Sequence, residues 1–302
     1  MEGAGLIMLN RLLLLPIALL VWGHDMACGH GETVLSEAVS EQPALTHQTL
    51  SESTSYVAAL KAARQQAGML LVSIEPEPAT TATDPVACYL ARAEVRSRFA
   101  TSSTPWVFCR LGMEDGGTQL LASSALRELR QGPGVFVVDQ AHDEWLGRVV
   151  SVLPRTAGKY YQFSLDDLGL LADLPAGSLT QRSMILAVRR HHEAPQSTCG
   201  RCDRRLAEAA AAHSAHQARL QVQGHHGWAT RSRQLATGGG ASEVCAESWP
   251  DQDLLDSCVD CVACWRQSSG HWQAVSGRQT AFGYDIRRSS NSIWYATGIF
   301  IR

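Results

Sequence analysis

Lysine is almost absent from this 302-residue chain, in which Lys61 and Lys159 are the only two. The remaining basic residues are arginines, and they form no basic stripe along the sequence. The formal net charge is −3 at pH 7. Because nucleic-acid binding leaves a footprint of clustered positive charge, we expect no nucleic-acid partner.

Two common hydrolase signatures are also missing. The sequence contains neither a His-Glu-x-x-His zinc-protease motif nor a nucleophile elbow. Ser268 and Ser269 stand close to His271, but catalytic pairs are set by the fold, so closeness in sequence is weak support for a Ser–His pair. We therefore assign no catalytic residue from the sequence.

The longest apolar run lies near the N-terminus, from Leu12 to Trp22 after Arg11. It is short for a membrane span and suits a secretory signal. We predict a signal peptide over residues 1–28, with cleavage near Ala27, and a secreted, periplasmic or cell-envelope location. Lipidation at Cys28 and an uncleaved N-terminal membrane anchor are the alternatives.

The sequence contains nine cysteines. If Cys28 is removed or lipidated, eight of the nine remain, an even number that is compatible with disulfides in an exported protein. Cys199 and Cys202 share a glycine-containing loop, which suits a metal knuckle or a disulfide. On the predicted helix of residues 252–267, we expect Cys258 and Cys261 to be small buried residues. A disulfide from that helix to Cys245 is the alternative.

Strands alternate with helices along the chain, which predicts an α/β (α+β) fold. Residues 29–53 lack periodicity and are predicted to be a linker. The next region covers residues 54–155, and a connector with a short helix covers 156–178. A second domain is predicted over residues 179–302. In the first region we expect a helix from about Thr54, strands at 69–74, 106–109 and 135–138, and a helix over 87–99.

This element order, with Pro133 just before the third apolar strand, resembles a thioredoxin-like domain over residues 54–155. A thioredoxin oxidoreductase needs two thiols in a C-x-x-C motif after its first strand. Here Pro85 stands three positions before Cys88 and Ala91 three after, so no second cysteine has that spacing. We expect no dithiol exchange at this position and predict a structural or docking role.

The last third of the chain carries an ordered series of short motifs. A Leu-Ala-His set on a predicted helix is followed by two adjacent histidines, then by a Ser-Glu-Val, a Trp-x-x-Ser, a Gly-His and a closing aromatic strand. The residues are Leu206, Ala210, His213, His225, His226, Ser242, Glu243, Val244, Trp265, Ser268, Gly270, His271 and 294–300. We expect His213 to pack in the core and His271 to lie on a loop.

In this order the motifs resemble the CAP superfamily of cysteine-rich secretory, antigen 5 and pathogenesis-related proteins. The resemblance implies an α-β-α sandwich over residues 179–302. It also implies a central cleft that holds a divalent metal such as zinc in some members. His226, Glu243 and His271 match the cleft residues, with His225 as the alternative to His226.

The family's second carboxylate falls at Ser268, whose hydroxyl is a poor zinc ligand. Glu247 is the alternative carboxylate. The leading interpretation is noncatalytic binding of a divalent metal or of a small apolar or lipid-like ligand, such as an envelope component. A metal-assisted hydrolase acting on peptides or envelope material and a pure protein-interaction module are the alternatives.

Overall fold

A computed structural model describes residues 51–75, 84–130, 132–235 and 240–302. The predicted signal peptide and most of the predicted linker lie outside these ranges. Within them, helices alternate with the strands of two mixed sheets, which confirms the predicted α/β class. No helix in the described ranges has the length and apolar character needed to cross a bilayer.

The first sheet is built from five strands in the order β1-β3-β2-β4-β5. The strands are β1 Ser51–Ser53, β2 Met69–Glu75, β3 Trp106–Gly112, β4 Gly134–Asp139 and β5 Val149–Pro154. β1, β3 and β2 are parallel, whereas β4 and β5 run antiparallel to their neighbours. β1 lies at the end of the range predicted as linker. It was missed because three polar residues show no strand periodicity.

Every residue of β2 is buried because both faces of the first sheet are covered. Leu70, Val72 and Ile74 face a cluster that includes Ala59 and Ala63 of helix α1. Met69 and Leu71 face the opposite, larger core. A strand covered on both sides is continuously apolar rather than alternating, and this explains the run that predicted it.

Several helices surround the first sheet and join it to the second. They are α1 Tyr56–Gln65, α2 Pro85–Leu90, α3 Ala93–Ala100, α4 Thr118–Leu121 and α5 Leu165–Ala172. The single helix predicted over residues 87–99 is in fact α2 and α3. α2 ends at Leu90, and α3 begins at Ala93 after Arg92, whose backbone is extended. Cys88 lies on α2 and is exposed.

The second sheet has four strands in the order β6-β8-β9-β7. The strands are β6 Arg201–Cys202, β7 Ala241–Glu247, β8 Ala281–Arg288 and β9 Trp294–Ile301. The helices of this half are α6 Leu179–Arg189, α7 Arg204–Leu220, α8 Trp228–Leu235, α9 Leu254–Gln267 and α10 Ser269–Ser276. Apolar side chains of α6 and α9 pack in one core with Val244, Phe282 and Phe300 of the sheet. α7 packs on the opposite face, where Leu206 and Ala210 meet Ala281 and Ile299.

α7 lies unusually close to β8. A Cβ atom at Gly283 would stand 2.2 Å from the backbone nitrogen of Ala207. Glycine therefore lets the helix backbone rest directly on the strand. This close approach fixes the distance between α7 and the second sheet, and with it the position of His213.

Candidate functional site

The site is assembled around β7, whose side chains alternate between the two faces of the second sheet. Val244 and Ala246 join the large core. Glu243 and Cys245 point to the opposite face, where they meet His213 of α7 and His225 of the segment that follows α7. The strand period thus places a carboxylate and a thiol beside imidazoles from two other elements.

The segment after α7 is held by hydrogen bonds from the helix itself. α7 ends at Leu220 and is followed by Gln221, which adopts φ of 57°. The Gln217 side chain accepts a hydrogen bond from the Gly224 N–H at 3.0 Å and donates one to Thr297 Oγ1 of β9, also at 3.0 Å. His213 Nε2 lies 2.8 Å from the Gly224 carbonyl. These bonds fix the backbone immediately before His225.

Glu243 is the centre of the hydrogen-bond network. Its Oε1 lies 3.0 Å from His225 Nδ1, and its Oε2 accepts from Arg231 Nε at 2.9 Å and from Arg231 Nη2. Burial favours the protonated carboxyl, but the hydrogen bonds from His225 and Arg231 and the charges of His213 and Arg231 outweigh it, so the pKa of Glu243 is lowered. Glu243 is therefore a carboxylate at neutral pH.

A carboxylate accepts and does not donate, so His225 Nδ1 carries a hydrogen. In the neutral ring this leaves the lone pair on Nε2. That atom lies 3.5 Å from Nε2 of His271. Burial, followed by the effect of His225, lowers the pKa of His271 and favours its neutral form. The two residues, called the His225–His271 pair below, present two ring nitrogens to one point.

His226 does not reach Glu243 and turns to the other side of the segment. Its ring centroid lies 6.3 Å from that of His213 and 5.9 Å from that of His216. These three histidines line a groove of about 460 Å³ together with Arg231. His226 Nε2 is buried there without a hydrogen-bond partner. The histidine that contacts Glu243 is therefore His225, the alternative to His226.

The remaining predicted site residues lie at different places. His271 is on the first turns of α10, not on a loop. Ser268 forms the junction between α9 and α10. Glu247 is exposed at the far end of β7, about 13 Å along the strand from Glu243. Glu247 therefore does not supply the second carboxylate of the site.

Three residues of the network were not assigned to it from the sequence. His213 is buried, as predicted, but it also contacts Glu243, with 3.7 Å between its Nε2 and Oε1. Cys245 Sγ lies 3.7 Å from the same oxygen. Arg231 comes from α8, whose sequence carries no distinguishing motif. The alternation of β7 was the only signal that could have linked Cys245 to Glu243.

His213, Glu243 and Cys245, called the interior group below, offer ligand atoms that all lie within 4.8 Å of one another. This buried group could hold a metal ion. It is the one such group of three or more in the described ranges. Burial, followed by the charge of Glu243, raises the pKa of Cys245, so the thiol is protonated unless a cation displaces the proton.

The thiols of the second half are not in disulfides within the described residues, and this includes Cys199, Cys202, Cys245, Cys258 and Cys261. Cys258 and Cys261 are fully buried, which confirms their prediction as small core residues. The alternative disulfide from α9 to Cys245 is not formed.

No protein-family model matches this chain, and no curated protein is detectably similar to it in sequence.

Proposed function

We propose that the protein binds a divalent transition metal of the zinc class through Nε2 of His225 and Nε2 of His271, in a CAP-like domain. The separation of these atoms, 3.5 Å, is the observation that carries the proposal. Two nitrogens bound to zinc at about 2.05 Å and at the tetrahedral angle are about 3.4 Å apart. The pair is therefore spaced for one ion without rearrangement.

Glu243 supports this function as the partner of the metal-binding imidazole. Its contact with His225 Nδ1 fixes the ring orientation and leaves Nε2 available, as carboxylates do behind many metal-bound histidines. The His225 side chain is 42% exposed. The remaining coordination positions of an ion would thus be open to water or to a small ligand.

The His225–His271 pair is favoured over the interior group because the ligand atoms of that group are already engaged. Glu243 is neutralised by Arg231, and His213 Nε2 is bonded to the Gly224 carbonyl. Cys245 would also have to lose its proton next to a carboxylate. A cation in the interior would break the bonds that position His225.

Binding is favoured over metal-assisted hydrolysis for a related reason. A hydrolase needs a base free to take a proton from water. Both oxygens of Glu243 already accept hydrogen bonds from His225 and Arg231. Serine at position 268 also provides no second carboxylate.

The architecture supports the two resemblances on which the wider proposal rests. A sheet between α7 and the α6–α9 layer is the α-β-α sandwich expected for a CAP domain. The parallel β1, β3 and β2 followed by antiparallel β4 and β5 agree with a thioredoxin-like sheet. We place the protein outside the cytoplasm, in the envelope or beyond it, because of its apolar N-terminal run.

Calorimetric titration of zinc into the purified protein tests the proposal. We expect binding to wild type that is weakened by about a hundredfold or more in His225→Ala and in His271→Ala, because each removes one of two protein ligands. Glu243→Gln should weaken binding by about 10- to 100-fold through the loss of the orienting carboxylate. Zinc affinity should fall as the pH is lowered through the range in which histidine takes up a proton, since protonated imidazole has no lone pair to donate.

His226→Ala is the matched control, because it removes the neighbouring imidazole that faces the other groove. It should leave zinc affinity unchanged. Loss of binding in Cys245→Ala or His213→Ala, with retention in His271→Ala, would move the ion to the interior group. Equal affinity in all variants would refute a metal function.

A further inference from the structure

The loop between α6 and α7 contains two cysteines that the proposed function does not use. Gln196 N and Ser197 N donate to the carbonyls of Ser276 and Val275 at 3.0 and 3.1 Å. At the other end, Arg201 N donates to the Thr280 carbonyl at 3.0 Å. Only three residues connect these anchors, so the chain around Cys199 is held in a tight turn.

Gly200 lies between the cysteines in direct contact with a neighbouring backbone. A Cβ atom there would stand 2.2 Å from the Gln279 carbonyl oxygen and 2.6 Å from that of Thr280. The glycine is therefore needed for the loop to lie against this segment. The turn that carries Cys199 and Cys202 is consequently a fixed part of the fold.

The two thiols differ in access. Cys199 is exposed, and its Sγ lies 3.2 Å from Oε1 of Gln196. Cys202 is half-buried in β6 and packs against the large core. In a dithiol pair, an accessible thiol attacks the partner and a less accessible one resolves the mixed disulfide. Their exposure fits Cys199 for the first role and Cys202 for the second.

The guanidinium of Arg189 interacts electrostatically with both thiols. Arg189, at the end of α6, donates to Thr198 Oγ1 at 3.3 Å and to the Asp173 carbonyl at 2.6 Å. Burial lowers the pKa of Arg189, while Asp173, Cys199 and Cys202 act on it in the opposite direction. Burial raises the pKa of Cys202, and Arg189 opposes this. The pKa of Cys202 therefore stays above its ordinary value, and Arg189 reduces the rise that burial causes.

A metal knuckle is the alternative use of this motif. Zinc knuckles need further cysteine or histidine ligands around the pair. Within the described ranges, the one group of three or more residues that could hold a metal ion does not include Cys199 or Cys202. The motif is therefore better suited to redox exchange than to structural zinc.

We propose that Cys199 and Cys202 form a reversible redox pair that exchanges with small or protein disulfides. The Cys199 thiolate attacks one sulfur of the oxidant and releases the first thiol. The Cys202 thiolate then attacks Cys199 Sγ and releases the second. Two electrons pass to the oxidant disulfide, and the two cysteine protons end on the two thiols released. This dithiol is separate from Cys88 of α2, which has no second cysteine at C-x-x-C spacing in the sequence.

Oxidised glutathione is the probe for the test, with alkylation and mass spectrometry of the full chain. Wild type should lose two hydrogen atoms and yield one peptide cross-linked between Cys199 and Cys202, which dithiothreitol reverses. Cys202→Ser should instead accumulate one glutathione on Cys199. Cys199→Ser should form neither product, and iodoacetamide should modify Cys199 at least tenfold faster than Cys202 in the reduced protein.

Cys264→Ser is the matched control, because Cys264 is a half-buried thiol on α9 outside the loop. It should behave as wild type. The proposal is overturned if wild type keeps the same glutathione adduct as Cys202→Ser, if the cross-link joins a different pair, or if neither thiol reacts.

Discussion

The ion pair between Glu243 and Arg231 lies at the centre of the hydrogen-bond network of the site. The Glu243 side chain is fully buried, and that of Arg231 is 17% exposed. Breaking a buried pair leaves an uncompensated charge, which costs more than the intact pair contributes. The network around Glu243 is therefore sensitive to the loss of one partner and tolerant of the loss of both.

We predict that Glu243→Gln lowers the free energy of unfolding by about 3 kcal/mol, because Arg231 keeps its charge without a carboxylate. Urea denaturation at pH 7 measures this. In the wild type, the Glu243 carboxylate should contribute to the free energy of unfolding above the ordinary pKa of glutamate. That contribution should be lost as the pH falls through the lowered pKa of Glu243 in the folded state.

The double variant Glu243→Gln with Arg231→Met is the control for that prediction. It removes both charges, so it should recover a large part of the loss. A double variant as unstable as the sum of the single variants would mean that the two side chains act independently.

At this scale the sequence predicted residue types better than residue orientations. Glu243 and His271 were selected from motif order, but motif order did not decide between His225 and His226, of which His225 contacts Glu243. It depends on the backbone after α7, where Gly224 is fixed by Gln217 and Gly227 adopts φ of 69°. Such a turn decides which neighbour faces β7, and residue types alone do not reveal it.

The start of α9 shows how one element depends on another. Asp253 precedes the helix but makes no side-chain capping bond. Instead Glu128, from the segment after α4, accepts a hydrogen bond from Leu254 N at 2.7 Å. Its Oε2 is buried without a partner. Glu128 thus satisfies a helix N–H at the cost of burying a carboxyl group.

Burial raises the pKa of Glu128 to about 7, with Asp253 adding to the rise and Arg127 opposing it. The folded state therefore binds a proton more tightly than the unfolded chain does. The stability linked to this proton is present below the ordinary glutamate pKa and is lost as the pH rises to about 7.

We predict that Glu128→Gln raises the free energy of unfolding by about 1–3 kcal/mol at pH 8 and changes it little at pH 4. The glutamine oxygen can still accept from Leu254 N, and no charge is buried. Denaturant titrations at the two pH values measure the difference. Glu52→Gln, an exposed glutamate of β1, should have no effect at either pH, and a destabilised Glu128→Gln at pH 8 would contradict the assignment.

For the whole molecule, one apolar core contains residues of both sheets and of α6 between them. Arg182 of α6 is only 1% exposed. Its Nε donates to Ser151 Oγ of β5 at 2.9 Å, and its Nη1 donates to the carbonyls of Leu174 and Pro175 at 3.1 and 2.8 Å. Burial lowers the pKa of Arg182 to about 10. This guanidinium ties α6 to the first sheet and to the chain after α5.

We predict that Arg182→Met lowers the free energy of unfolding by about 2–4 kcal/mol, because a buried hydroxyl and two carbonyls lose their donor. Methionine keeps the apolar stem, so the loss reports hydrogen bonds more than packing. Chemical denaturation followed by circular dichroism and tryptophan fluorescence measures it. Arg92→Met, at an exposed pair with Glu94, should change stability by less than about 0.5 kcal/mol, and an equal loss in both variants would refute the role of Arg182.

The sequence by itself determined the α/β class and the principal elements of the second half. Periodicity located α9, and the aromatic run located β9, to within a few residues, because burial of one helix face or of a whole strand leaves a local pattern. The short, polar β1 left none. The same local signal selected Cys258 and Cys261 as core residues, since both share the apolar face of α9.

Only the tertiary structure decided which polar groups meet. Arg231, Glu243, His213 and His271 come from four different elements, and Arg182 reaches across to β5. These contacts depend on the distance between α7 and β8 at Gly283, on the direction of each β7 side chain and on the turn after Gly224. Those quantities are set by packing between distant segments, so no local pattern in the sequence encodes them.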